Sequence, residues 1–286
     1  MTAVGIVGPG RAGLGLALAL RRAGVRVLGV HGRRRKPVPR PLVLSVGGAP
    51  PWLDRADVVV LAVRDDAITE LVRAWRRADL RGKVVLHLSG AQPAAALAGL
   101  RAAGAAVAAM HPLMTVSDEP ARAAAHFAIA TFVLDGDATA VRAARRLVRQ
   151  LGGRPVIIAG RNKARYHAGA VFASNYVLAL LAVAEDQLVA AGFTRRAARA
   201  ALAPLARATV DNVARLGPER ALTGPILRGD LATIARHLAA LPPLEQELYA
   251  VLGAPTIRLA RRAGGDALRL SELRRLWKVR PGAHRR

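Results

Sequence analysis

The sequence contains no cysteine. That removes disulfides and thiolate metal sites from consideration and fits a reducing, cytoplasmic setting. Aromatic residues make up only 3% of the chain, too few for the stacking platforms that grip single-stranded nucleic acid. Lysine is scarce as well. Lys36, Lys83, Lys163 and Lys278 are the four present, so nearly all of the net charge of +25 comes from arginine. Pairs such as Arg21–Arg22, Arg76–Arg77, Arg145–Arg146 and Arg195–Arg196 are scattered along helical patterns instead of massed in one stretch. Scattered basic charge reads as solvated surface, and nucleic acid is not expected as a partner.

Further absences narrow the field. The N-terminus, MTAVGIVGPG, has no basic n-region and no small-residue cleavage site, so no signal peptide is expected. The longest apolar stretch, AGAVFASNYVLALLAVAEDQ, is interrupted by Ser174, Asn175 and Tyr176 and ends in acids. It reads as a buried helix and not as a membrane span. Metal-ligand spacings of the H-x-x-x-H and H-E-x-x-H kinds are missing, so no metal is expected. The G-x-S-x-G elbow of serine hydrolases is missing too. The tail RRLWKVRPGAHRR, and Lys36, Lys83 and Lys278, read as solvated.

What remains is a globular composition, 52% apolar and 22% charged over 286 residues, enough for one large domain or two modest ones. The first half alternates short β-branched runs with amphipathic stretches, the signature of parallel βαβ units. Strands are predicted near Ala3–Gly8, Arg26–Val30, Leu42–Val46, Asp57–Val63, Val84–Leu88, Ala106–Met110, Ala128–Leu134 and Pro155–Ala159. Helices are predicted near Ala12–Ala23, Asp66–Ala78, Pro93–Ala103 and Ala138–Leu151. From about Asn162 onward only helical patterns occur, broken at Gly192, Gly217, Gly224–Pro225 and Pro242–Pro243. The expected architecture is therefore α/β: a doubly wound Rossmann sheet over residues 1–160, then an all-helical domain over 161–286.

Gly8, Gly10 and Gly13 spell G-x-G-x-x-G between the first strand and the first helix. In that context the first glycine permits the turn, the second lets backbone approach a pyrophosphate, and the third lets helix and strand pack closely. The helix N-terminus adds free N–H groups and partial positive charge for phosphates, which brings in Pro9, Arg11 and Ala12. Folds selective for NAD place an acid at the end of the second strand. Here the segment reads GVHGRRRK, with His31, Arg33 and Arg34 and no acid before Asp54. Guanidinium groups suit bidentate binding of a 2′-phosphate, so the expected cofactor is NADP. Val63 and Asp65 after the fourth strand, and Ser89 and Gly90 after the fifth, complete the expected cofactor set, because ligands of such sheets sit outside the carboxyl ends of the strands.

Five later segments carry a resemblance: LAVRDDAI (Leu61–Ile68), LHLSGAQ (Leu86–Gln92), MHPLMT (Met110–Thr115), YHAGAVFASNYVLALL (Tyr166–Leu181) and ALTGPILRGD (Ala221–Asp230). Together they resemble Rossmann-like proteins with a C-terminal domain of unknown function numbered 2520, relatives of pyrroline-5-carboxylate reductase, ketopantoate reductase and the 3-hydroxyacid dehydrogenases. Arg64 departs from the proline that relatives often carry there, which bears on loop stiffness. The resemblance implies an NADP-binding domain, a helical domain that dimerises, and a role beside pantothenate synthesis with ketopantoate as substrate.

On an ideal helix Lys163, His167 and Ser174 share one narrow stripe that Asn175 borders. Polar groups on an otherwise apolar helix are expensive to bury without purpose. Reducing a carbonyl needs a proton donor and a group that holds the oxygen. His167 or Lys163 fits the first role and Ser174 and Asn175 the second; the lysine with a later asparagine is also what the resemblance to ketopantoate reductases implies. His111 and Pro112 are candidate substrate-binding residues, with a structural reading beside that one in which they shape the loop next to the nicotinamide. Thr223 and Arg228 are candidate substrate ligands, Arg228 as a carboxylate clamp, while Asp230 caps the following helix. The leading expectation is a homodimeric NADPH-dependent oxidoreductase reducing a small 2-oxo acid. The alternatives are an imine reductase of the pyrroline-5-carboxylate reductase type and a non-catalytic NADP sensor or nucleic-acid binder.

Overall fold

The computed structural model describes residues 2–277. Lys278 and the rest of the basic tail lie outside them. The chain divides into two compact units, one ending at Asn175 and one beginning at Tyr176.

The first unit is built on eight strands: β1 (Ala3–Val7), β2 (Arg26–Gly32), β3 (Leu44–Val46), β4 (Val58–Leu61), β5 (Val84–His87), β6 (Ala106–Leu113), β7 (Thr131–Gly136) and β8 (Arg154–Ile157). They form one sheet in the order β3-β2-β1-β4-β5-β6-β7-β8. Strand order reverses at β1, where β2 and β4 flank it on opposite sides. All pairings are parallel except β6 with β7, which run antiparallel with Met110 opposite Leu134 and His111 opposite Val133.

Because side chains alternate across a strand, a strand covered on both faces must be apolar at every position. The β4 segment VVVL shows this. Val58 and Val60 enter a cluster with Leu16, Leu20, Phe127 and Leu147, while Val59 and Leu61 join Trp52, Ile68, Trp75 and Leu97 on the other face. Helices α1 (Arg11–Arg22), α3 (Pro120–Ile129) and α4 (Ala138–Gln150) supply the first layer, and α2 (Asp65–Trp75) contributes to the second.

Two local expectations need correcting. Residues 128–130, expected in a strand, belong with α3 or just beyond it, and β7 starts at Thr131. The alanine-rich run PARAAAHFAI has high helix propensity and a proline preset for the first turn. It packs so closely on α1 that a Cβ at Gly15 would fall 2.7 Å from Ala123 Cβ. The segment after Pro93 forms a 3-10 helix, Ala94–Leu100, in place of the expected α-helix.

The unit ends with β8 and α5 (Lys163–Ala173), so the helix that carries Lys163 and His167 belongs with the sheet and not with the second unit. The second unit is helical: α6 (Asn175–Ala190, all but its first residue), α7 (Arg195–Leu216), the single turns α8 (Pro218–Ala221) and α9 (Pro225–Arg228), then α10 (Leu231–Ala240), α11 (Pro243–Arg262) and α12 (Ala267–Leu276). Its small core gathers Ile234, Ile257, Ala260, Leu270 and Leu273. The start of the basic tail is not a loose end: Arg274 to Leu276 lie in α12, and Trp277 packs on that core and against Gly253.

The long apolar stretch, which the sequence predicts to be a buried helix, is not buried within the chain. α6 has no buried residue, and Leu178 is 66% exposed. By length and composition Gly160–Ala190 would suffice to cross a membrane. A helix apolar on all sides needs cover on all sides, and the single chain does not supply it.

Candidate functional site

The glycine turn opens a crevice of about 650 Å³ at the carboxyl edge of the sheet. Gly8 sits at φ +110°, a conformation side chains disfavour, and a Cβ there would strike the Ala62 carbonyl. Its N–H donates to the His31 carbonyl at 2.8 Å, which fixes the turn to β2. A Cβ at Gly13 would strike the Gly8 carbonyl, so α1 rides directly on the turn. Gly10 is different: a Cβ there would meet nothing within 4 Å. Gly10 is the N-cap of α1 and no side chain caps the helix, nor does its first turn carry an acid. The backbone N–H groups of that turn are therefore available to an anion.

Of the expected cofactor residues, Gly8, Pro9, Gly10, His31, Arg33 and Val63 line this crevice, and Arg11, Ala12 and Gly13 begin α1 beside it. Arg34 lines an adjoining hollow with Pro9, Arg33 and Lys36. Lys36, read from the sequence as merely solvated, is exposed and lines both spaces. Asp65 opens α2 on the surface, and its neighbour Asp66 is the one that reaches the crevice. Gly47, Gly48 and Glu70 also line it and were not anticipated. The Glu70 carboxylate lies 3.7 Å from the Arg33 guanidinium, an exposed pair of little energetic weight. His31 is buried, and its Nδ1 lies 3.0 Å from Ser45 Oγ. Burial pulls its pKa down, against the opposing effect of hydrogen bonds to the backbone of Gly48 and Gly47. Its ring braces the β3 loop while it lines the crevice.

A second constellation gathers further along the same edge. His87 is fully buried at the end of β5; its Nδ1 accepts from the Ser89 N–H at 3.2 Å, so Nε2 carries the proton and faces the Pro93 carbonyl at 3.2 Å. Ser89 Oγ accepts from the Gln92 N–H. Ser89 thus holds the turn that carries Gly90, and neither residue lines the glycine-turn crevice. Asp135, at the end of β7, accepts from the Ala94 N–H at 2.8 Å through Oδ2. Its Oδ1 lies 3.5 Å from Lys163 Nζ, and at that distance the attraction is coulombic more than a good hydrogen bond. The Lys163 side chain is 2% exposed, and its ammonium lies 5.7 Å from the centre of the Tyr166 ring. Burial lowers the Lys163 pKa against the opposing pull of Asp135.

Tyr166 Oη and His111 Nδ1 are 2.6 Å apart. The rings of His111 and His167 meet edge to face with centroids 5.9 Å apart. Burial, with the nearby charge of Lys163, pushes His111 down to about 4. Burial pushes Tyr166 up to about 12.

Gly90, His111, Lys163 and His167 therefore converge in the first unit. Lys163 does so from inside, its amine turned into the protein and not along an open helix stripe. The helix breaks at the two remaining candidates: Ser174 ends α5 at φ −124°, ψ −72° and Asn175 begins α6. Pro112 is buried in β6 opposite Phe132. Thr223 and Arg228 belong to the second unit, where Arg228 ends α9. Asp230 caps α10, accepting from the Thr233 N–H at 3.0 Å. His87, Asp135 and Tyr166 were not picked out from the sequence. Tyr166 lay within the YHAGAVFASNY string, and Asp135 was signalled by an acid ending the apolar run FVLDG.

A model of a Rossmann-like domain matches residues 1–112, and a model of the domain of unknown function DUF2520 matches residues 130–256. The chain joins a Rossmann-like domain to a DUF2520 domain. Solved structures similar to this Rossmann–DUF2520 chain include a putative NADP oxidoreductase from Bacteroides fragilis, at 22% identity and a TM-score of 0.68, covering 89% of this chain and 97% of that one. Pyrroline carboxylate reductase from Plasmodium falciparum with NADP bound follows at 12% identity and 0.60, covering 97% and 98%. A reductive aminase from Aspergillus terreus in complex with NADPH has 18% identity and 0.57, covering 97% and 93%. At these identities the likeness is one of fold. No curated protein matches the sequence.

Proposed function

We propose that the chain is an NADPH-dependent oxidoreductase acting on a small 2-oxo acid, with ketopantoate the leading candidate. The observation that carries the cofactor is the uncapped α1 N-terminus, open above Gly10, beside Arg33, Arg34 and Lys36 at the end of β2. The turn fits a pyrophosphate, and the three cations fit a 2′-phosphate where an NAD fold would carry an acid. NADPH, when bound, supplies a hydride. The chain supplies the rest: the crevice holds the dinucleotide, the histidine cluster lies further along the carboxyl edge of the same sheet, and His167 delivers the proton to the reduced atom.

NADP in the Plasmodium falciparum reductase and NADPH in the Aspergillus terreus aminase support the same cofactor. They also give a second reading its footing, the reduction of an imine by this chain. Two further parts of the proposal concern setting. The uncovered α6 is matched by a second copy of this chain, making a homodimer, and a cytoplasmic location follows from reliance on NADPH.

Fluorescence titration should give a Kd for NADPH at least about tenfold below that for NADH, the worth of one or two charge-assisted hydrogen bonds. Arg34→Ala should raise the NADPH value about tenfold and leave NADH unchanged. Equal affinities for the two dinucleotides in the natural protein would remove the assignment.

A further inference from the structure

Arginines that look scattered along the sequence gather on one face once the chain folds. In α4 they stand at Arg142, Arg145, Arg146 and Arg149, a spacing of three and four that stacks side chains along one side of a helix. The other side, with Val141, Ala144, Leu147 and Val148, is buried against the sheet. Arg142, Arg146 and Arg149 are exposed, and Arg145 is half-buried. Among the described residues none of the four pairs with an acid; Arg142 donates to Thr139 Oγ1 at 3.0 Å. Arg142 therefore neighbours Arg145 and Arg146, and Arg149 neighbours the same two, like charges that repel. A bound anion would turn that repulsion into attraction.

Helices α1 and α3 cover the same face of the sheet as α4. They add Arg21, Arg22 and Arg122, all exposed, and Arg22 donates to the Ala121 carbonyl at 3.3 Å, which ties the end of α1 to the start of α3. None of the three helices contains an acid. The acids nearest in sequence flank them: Asp118 and Glu119 lead into α3, and Asp137, the N-cap of α4, is paired with Arg101 at 2.9 Å. On the opposite face α2 is mixed in sign, with Asp65, Asp66 and Glu70 ahead of Arg73. The excess positive charge of this unit is thus placed unevenly, on the layer formed by α1, α3 and α4.

What this face lacks narrows its partner. No large apolar side chain of α4 is exposed, so the arginine row has nothing to sink into a lipid surface and nothing to form the dry centre of a protein interface. Phe127, the phenylalanine of α3, is buried, so unpaired bases find no phenyl ring there to stack on. Guanidinium groups donate and never accept. They match phosphate oxygens, and they offer no acceptor to the 2′-hydroxyl that marks RNA. We propose that the outer face of α1, α3 and α4, led by the arginine row of α4, binds the phosphate backbone of duplex DNA without regard to base sequence. This stands apart from the reductase reading, because the α4 arginines line none of the crevice at the glycine turn.

The test uses the full-length protein and a fluorescent DNA duplex of about 20 base pairs, followed by anisotropy. Binding should weaken about 100-fold between about 50 and 200 mM salt, as expected for about four phosphate contacts. Arg142→Gln, Arg145→Gln, Arg146→Gln and Arg149→Gln combined keep helix propensity and should flatten the plot of log K against log salt by about 3.6, or about 0.9 per contact. Arg146→Gln alone should flatten it by about 0.9. A control removes the same charge elsewhere in this unit, with Arg55→Gln, Arg73→Gln, Arg76→Gln and Arg77→Gln combined, and should change the slope by less than about 1. At low salt the α4 variant should unfold at a denaturant midpoint no lower than the natural protein, since it relieves repulsion. A control that loses as much as the α4 variant would show an effect of bulk charge and overturn the proposal. Tighter binding of duplex RNA, single-stranded DNA, polyglutamate or phosphatidylglycerol vesicles than of duplex DNA would overturn it too. Should the combined α4 variant fail to fold, the slope of Arg146→Gln decides, and an unchanged slope rejects the site.

Discussion

Arg33 and Arg34 are proposed as phosphate ligands because two local facts agree at one place, an absent acid and a present base at the end of a strand. His31 stands two residues away and was read in the same way, yet its role is set by Ser45 and the loop at Gly47 and Gly48. Nothing adjacent in sequence announces those partners. His111 shows the same limit more sharply. Its pKa, lowered from 6.5 to about 4, comes from burial and from Lys163, 52 residues later. Its sign is testable. Between these two values the unfolded chain binds a proton at this site that the folded chain refuses. Folding stability is thus fully retained above pH 6.5 and falls as pH drops toward 4. Denaturant midpoints measured across that interval should decline with acidification, by an amount on the order of 1–3 kcal/mol in total. His111→Phe should flatten this part of the profile, and an unchanged slope in the variant would show that His111 is not its source.

At the scale of elements, the sheet was legible and the helix after it was not. The glycine turn and the apolar β4 are local patterns with a fixed physical period, and the structure places them as the periodicity requires. The stripe of Lys163, His167, Ser174 and Asn175 assumed one continuous helix. The break at Ser174 divides it, leaving the two halves with different surroundings. Lys163 is buried through contact with β7, whose Asp135 faces it at 3.5 Å. Removing one member of such a pair leaves the other charge buried and uncompensated. Lys163→Met should cost about 3 kcal/mol in chemical denaturation, and adding Asp135→Asn should recover at least about 1 kcal/mol of it. The asparagine keeps an acceptor for the Ala94 N–H, so that turn should survive. A double variant less stable than Lys163→Met would contradict the pairing.

For the whole molecule, the uncovered surface of α6 carries the proposed dimer. Leu178 and Tyr176 are largely exposed in the single chain, and large exposed apolar patches mark interaction sites. Light scattering on the purified protein should give twice the chain mass, and Leu178→Glu should shift it to that of one chain at micromolar concentration. A natural protein that runs as a monomer, or that leaves the membrane fraction only with detergent, would remove the dimer. The sequence by itself determined the alternation of strands and helices, the glycine turn and the basic end of β2, because each depends on neighbours a few residues apart. Tertiary structure alone decided that Lys163 turns inward, that His111 is held by Tyr166, and that the rings of His111 and His167 close on Gly90. Those facts depend on burial and on partners from β5, β6, β7 and α5, which only the folded sheet brings within hydrogen-bond range.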